Sequence, residues 1–136
     1  MEPQSSKSQI LNSKQIQMTE IQNPKHYDLE ERTYWFAKKV IKYVNSLPKT
    51  ISNIETSKQL VRASGSIGAN YIEANEALGK KDFIMRIKIS RKEAKESRYW
   101  LKLTEPKEEN LQIREGLIQE ATELTKIFGS ILEKCK

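Results

Sequence analysis

Apolar and small side chains recur at alternating steps of three and four residues in four separate segments of this chain, with proline or glycine between the segments. That step turns one face of an α-helix toward a core. The first seam is Leu29, Thr33, Phe36, Val40, Tyr43 and Leu47; Asp28 stands at its cap position with Glu31 three residues later, and Pro48 ends it. Ser52 or Asn53 is expected to cap a second helix running to Leu78, with Leu60, Ser64, Ile67, Tyr71, Ala74 and Leu78 inward and Gly79 as its stop. Asp82 is expected to cap a third, whose seam is Phe83, Ile87, Ser90, Ala94, Ser97 and Leu101, with two serines thinning the stripe. The stretch 104–110, with Pro106 and three glutamates, reads as a turn. Beyond it Leu117, Ala121, Leu124, Phe128, Ile131 and Cys135 share a face, flanked by Ile118, Thr125 and Leu132. Gly129 inside this fourth helix costs about 1 kcal/mol relative to Ala without breaking it. Four amphipathic helices joined by short connections bury their stripes most simply as an all-α, antiparallel up-and-down four-helix bundle over residues 28–136.

A chain of 136 residues is the size of one domain. Residues 1–27 show only isolated apolar side chains (Ile10, Leu11, Ile16, Met18, Ile21), and Pro24 breaks the chain before the first seam. They read as a polar, mostly disordered and flexible tail with at most a transient helix at 8–21; the alternative is a tail that orders on a partner. One cysteine and one histidine exclude an intrachain disulfide and a closed zinc site built from one chain's side chains. No segment approaches the roughly 18 consecutive apolar residues of a membrane span, and the N-terminus lacks a signal peptide's apolar run, so no membrane association and a cytoplasmic location are expected.

The net charge of +6 has an address. Residues 80–102 hold nine Lys/Arg against three Asp/Glu, and the rest of the chain balances to zero. Lys88, Arg91, Lys95, Arg98 and Lys102 follow one another at steps of three and four, so they form one cationic stripe beside the third helix's seam. Such a stripe suits the phosphates of a nucleic acid; it also suits nothing more than a solvated helix face. Tyr99 and Trp100 lie within it and offer stacking surfaces, although an indole serves equally well packed against a neighbouring helix.

On the second helix Val61, Gly65, Gly68, Ile72 and Asn75 line a stripe next to the seam. Glycine in a helix interior weakens it by up to about 1 kcal/mol each, which suggests a close backbone approach. Gly65, Gly68 and Ile72 are therefore assigned to an oligomer interface or to close packing within the bundle. Arg62 and Glu73 are too far apart to pair with each other, so each needs a partner elsewhere or stays solvated.

Catalytic constellations are missing from the pattern. The only histidine, His26, stands at the tail boundary; no Arg is followed at four to six residues by His, as a helical-bundle ribonuclease of the HEPN type requires; no Glu-x-x-His pair suits a di-metal site; and no phosphate-binding glycine loop occurs. Glu73 and Glu76 share a face and suit solvent or an interface better than a metal, and Cys135 lies one residue from the last position. No enzymatic activity, metal or cofactor is expected.

The runs QLVRASGSIGANYIEANEA at 59–77, KKDF at 80–83, KEAKES at 92–97 and YWL at 99–101, with ERTYWFAKKV at 31–40, resemble the four-helix-bundle family of proteins encoded in 23S rRNA intervening sequences. The resemblance spans roughly residues 28–134. Arg62, Ser66, Asn70 and Glu73 match the family's second-helix signature, and Asp82, Phe83, Lys92, Glu93 and Trp100 its third; many members carry Pro where this chain has Gly68. The resemblance implies a ring-shaped homopentamer. It also implies kinship with the accessory variability determinant of diversity-generating retroelements, a basic pentamer that binds a reverse transcriptase and nucleic acid. The resulting expectation is a non-enzymatic, basic oligomeric adaptor that holds structured RNA or DNA on the third helix's stripe, with a reverse transcriptase as a possible protein partner. The alternative is a protein-interaction scaffold that docks an acidic protein without nucleic acid.

Overall fold

The computed structural model describes residues 28–136. The expected tail, its transient helix and His26 lie outside the described residues. By its internal packing the chain divides after Arg32. Of the first unit, the described part is the opening turn of a helix, where the Asp28 carboxylate accepts from the Glu30 N–H at 3.0 Å, the cap the sequence predicts. The second unit, Thr33–Lys136, holds the bundle.

Four helices, α1 (Leu29–Asn45), α2 (Ile51–Asn75), α3 (Lys80–Leu103) and α4 (Leu111–Lys134), follow one another, with a 3-10 turn at Glu108–Asn110 before the last. Their order is antiparallel. Ser90 of α3 donates to the Ile67 carbonyl of α2 at 2.9 Å, while Glu93 meets Arg62, so residue numbers rise along one helix as they fall along the other. The core is the set of seams: Phe36, Val40 and Tyr43 from α1, Leu60, Ala63 and Ile67 from α2, Ile87, Ala94 and Leu101 from α3, and Leu117, Leu124 and Phe128 from α4 are buried. The serines of α3 belong to it as well. Ser97 donates to the Glu93 carbonyl of its own helix at 2.9 Å, so both seam hydroxyls are buried and hydrogen-bonded.

Three boundary expectations need correction. The cap of α2 is Thr50, whose Oγ1 accepts from the Asn53 N–H at 3.1 Å; Ser52 lies within the helix and exposed. Asn53 is buried instead, and its side chain clasps two loops. Its Nδ2 donates to the carbonyls of Pro48 and Glu105 at 2.9 and 3.0 Å, and its Oδ1 accepts from the Glu105 N–H at 2.9 Å. The second helix stops at Asn75, where the N–H groups of Glu76 and Ala77 turn to carbonyls three residues back, so Leu78 leaves the predicted seam and is fully exposed. Gly79 is then the cap of α3, its carbonyl accepting from the Phe83 N–H at 3.1 Å, and Asp82 sits in the first turn, where its charge suits the helix dipole.

The end that carries Asn53 also carries a buried hydroxyl chain. Thr104 donates to the Leu101 carbonyl at 2.6 Å, which leaves its oxygen to accept from the Tyr43 phenol at 2.7 Å. Burial pushes the Tyr43 phenol above its ordinary value of 10.0, and the Thr104 hydroxyl and nearby Arg114 only partly offset this.

Candidate nucleic-acid interface

The five cations predicted to form one stripe divide into two sets. All five are exposed. Arg98 turns toward α4, where its Nε donates to Thr122 Oγ1 at 3.0 Å. Arg91 leans the same way: a Cβ added at Gly129 would stand 3.5 Å from the Arg91 Nε, so this glycine leaves room for the guanidinium to lie across α4. Lys88 and Lys95 remain on the outward ridge of α3, and Lys92 joins them there. A step of seven residues separates Lys88, Lys95 and Lys102, and the same step separates Lys92 from Tyr99. On a helix a step of seven is nearly two full turns and a rise of about 10.5 Å, so each of these two sets lies close to one line along the helix.

Beside the ridge runs an open groove of about 650 Å³, walled by Lys88, Arg91, Lys92, Lys95, Glu96, Tyr99, Trp100 and Leu132. Three of the five predicted stripe residues thus share one groove, and Arg98 and Lys102 lie outside its wall. Trp100 is half-buried, and Tyr99 meets it edge-on, ring centroids 5.0 Å apart at 72°. The indole Nε1 of Trp100 is buried with no hydrogen-bond partner. Tyr99 itself is 58% exposed.

Five of the nine residues of the helix signatures, Arg62, Ser66, Asn70, Lys92 and Glu93, fall into two bridges between α2 and α3. Arg62 reaches Glu93 at 3.4 Å and Glu96 at 3.5 Å, and Lys92 approaches Glu93 at 3.8 Å. This answers where Arg62 finds its partner, and it places Glu93, buried, under the groove's edge. Higher on the same pair of helices, Asn70 donates to the Ser66 carbonyl at 2.9 Å and accepts from Arg86 at 2.9 Å. Arg86 is a residue the sequence reading missed; its position one turn before Ser90, on the α2 side of α3, is the signal that points to it. Glu73 and Asp82 are exposed, and Phe83 is half-buried.

The glycine stripe also divides. A Cβ at Gly68 would stand 2.7 Å from Thr33 Oγ1, so Gly68 marks close packing of α1 on α2 within the chain. Helix α2 runs unbroken through it. Gly65 has nothing within 4 Å of such a Cβ, and with Val61 and Ile72 it lies on the surface. Among the described residues no three His, Cys, Asp or Glu side chains group as a metal site, and no helix is long and apolar enough to cross a membrane.

No curated protein matches the chain. Among solved structures, a protein of unknown function from the S23 ribosomal protein family of Bacteroides thetaiotaomicron is similar, at 30% sequence identity and a TM-score of 0.64, over 76% of this chain and 96% of that one. The family model of the 23S rRNA-intervening sequence protein matches residues 25–130, which include the Arg62–Glu93 bridge, the Asn70–Arg86 bridge and the lysine ridge. The chain belongs to the 23S rRNA-intervening sequence protein family.

Proposed function

We propose that this protein is a non-enzymatic, cytoplasmic adaptor that binds structured RNA or DNA on the outward ridge of α3. The observation that carries this reading is the groove in which Lys88, Arg91, Lys92 and Lys95 face a single acidic side chain, Glu96, itself paired with Arg62. Cations concentrated on one face raise the local concentration of a polyanion and speed its capture. Contacts to phosphates alone bind with strong salt dependence and little sequence preference.

Assembly belongs to the same proposal. A homopentameric ring would repeat the ridge five times, and linked weak sites bind far more tightly than one. The exposed Val61 and Ile72 beside Gly65 on α2 are apolar side chains that a second copy would cover. A role as accessory factor to a reverse transcriptase fits a basic ring that presents nucleic acid to a partner enzyme.

The test is fluorescence anisotropy with a labelled RNA hairpin. Lys88→Glu combined with Lys92→Glu and Lys95→Glu is expected to weaken binding by more than tenfold at moderate salt with helicity intact by circular dichroism. Unchanged affinity removes the reading and favours a scaffold that docks an acidic protein, which a pull-down after nuclease treatment would then detect.

A further inference from the structure

The groove beside the ridge contains more than phosphate binding requires. A duplex presents its phosphates outward and keeps its bases stacked inside, so a purely cationic helix face would serve it. Here the wall between the cations is apolar and aromatic: Tyr99, Trp100 and Leu132 share it with the stems of the lysines. Tyr99 stands at the C-terminal end of the run Lys88, Lys92, Lys95, with its ring more than half exposed although Trp100 is beside it. An exposed ring at the end of a cationic track is the arrangement that takes unpaired bases, because every base has a π-face and sequence matters little to stacking. The volume points the same way. About 650 Å³ lies within the range of small-ligand sites, enough for stacked nucleotides but not for a double helix to enter.

On this basis we infer that the groove takes a short run of unpaired nucleotides, with Lys88, Lys92 and Lys95 on successive phosphates and a base stacked on Tyr99. The inference rests on the nucleic-acid reading above and narrows it from folded nucleic acid in general to its loops, bulges and single-stranded ends. Glu96 has a place in it. A carboxylate on the wall repels a phosphate but accepts from a ribose hydroxyl or a base amino group, so it sets which part of the strand faces that point. The Trp100 Nε1 is buried behind this wall without a partner, and the stacking argument does not depend on it.

The experiment compares labelled ten-nucleotide probes by anisotropy on the full chain. The probes are a ribo- and a deoxyribo-oligonucleotide of one unstructured sequence, the corresponding duplex, and a strand of the same length and charge carrying abasic sites throughout. The two single strands are expected to bind at least tenfold more tightly than duplex or abasic strand, and the tighter of them names the sugar. Tyr99→Ala is expected to cost about 5- to 100-fold for the single strands, and Tyr99→Phe to keep their affinity. Equal binding of all probes, unaffected by Tyr99→Ala but abolished by the triple lysine reversal, overturns the inference and leaves the nucleic-acid reading standing. No binding of any probe or of the RNA hairpin, with capture of an acidic protein instead, overturns both.

Discussion

Arg62 of α2 and Glu93 of α3 meet at 3.4 Å, with the Glu93 side chain 7% exposed and the Arg62 side chain 54% exposed. An acid on the margin of the core is thus held by a cation that reaches it from the surface. Removing the cation leaves a buried charge with only Lys92 nearby, whereas removing both charges leaves nothing to compensate. Arg62→Ala is expected to destabilise the protein by about 1 to 3 kcal/mol, and by clearly less when Glu93→Gln is already present. Urea unfolding of the four proteins in the double-mutant cycle checks it; additive effects would show that the bridge contributes nothing.

The two glycines of α2 predict opposite outcomes. At Gly65 a methyl group meets open space, so Gly65→Ala is expected to stabilise the helix by up to about 1 kcal/mol. At Gly68 the same methyl collides with Thr33 Oγ1, and Gly68→Ala is expected to destabilise by about 1 to 3 kcal/mol despite the same gain in helix propensity. Thr33→Ala should relieve part of that loss. Light scattering on the same variants tests assembly, because a change in mass with Gly65→Ala and none with Gly68→Ala would put the subunit contact on the surface half of the stripe.

Tyr43 gives the fold an alkaline limit. Its phenol is held in the protonated form by burial, so its folded value lies above the unfolded value of 10.0. The stabilisation this represents is fully present below pH 10 and is lost as pH rises through the folded value. Stability measured by urea unfolding is expected to fall above pH 10 more steeply than in Tyr43→Phe, which cannot ionise there. The variant should be less stable at neutral pH by about 1 kcal/mol, since Thr104 loses its donor. Parallel pH profiles would refute the assignment.

Asn53 ties the Pro48 loop to the loop that follows α3. Asn53→Ala strands the Glu105 N–H and two carbonyls and is expected to cost about 2 to 4 kcal/mol. Asn53→Asp keeps the acceptor but places a charge against two carbonyl oxygens, and should be at least as damaging at neutral pH. Thermal unfolding followed by circular dichroism separates this from the mild effect expected of an ordinary cap.

The seams were legible because a helix repeats nearly every 3.6 residues and the core selects one side of it; Phe36, Leu60, Ile87 and Leu124 could be placed inward from spacing alone. The same rule misplaced Leu78, since the period continues on paper after the backbone has turned. Asn53 was misread as a cap because a polar residue at a helix start has two uses, and only the position of Glu105, 52 residues away, decides between them. The cationic stripe was visible as a run of residues. Its division was not, because Arg91 and Arg98 turn toward Gly129 and Thr122 of a helix that the spacing of α3 says nothing about.

That division has a cost in entropy. A lysine free in solvent loses much of its rotamer freedom when it is fixed on a ligand, about 0.5 to 1.5 kcal/mol for each side chain immobilised. Arg98 is already held by the Thr122 hydroxyl, and Arg91 is confined above Gly129, so part of their ordering was completed when the bundle folded. Along one helix the protein therefore carries two kinds of positive charge: arginines set in place in advance, which define a fixed edge, and exposed lysines such as Lys88 and Lys95, which can follow ligands of different outline.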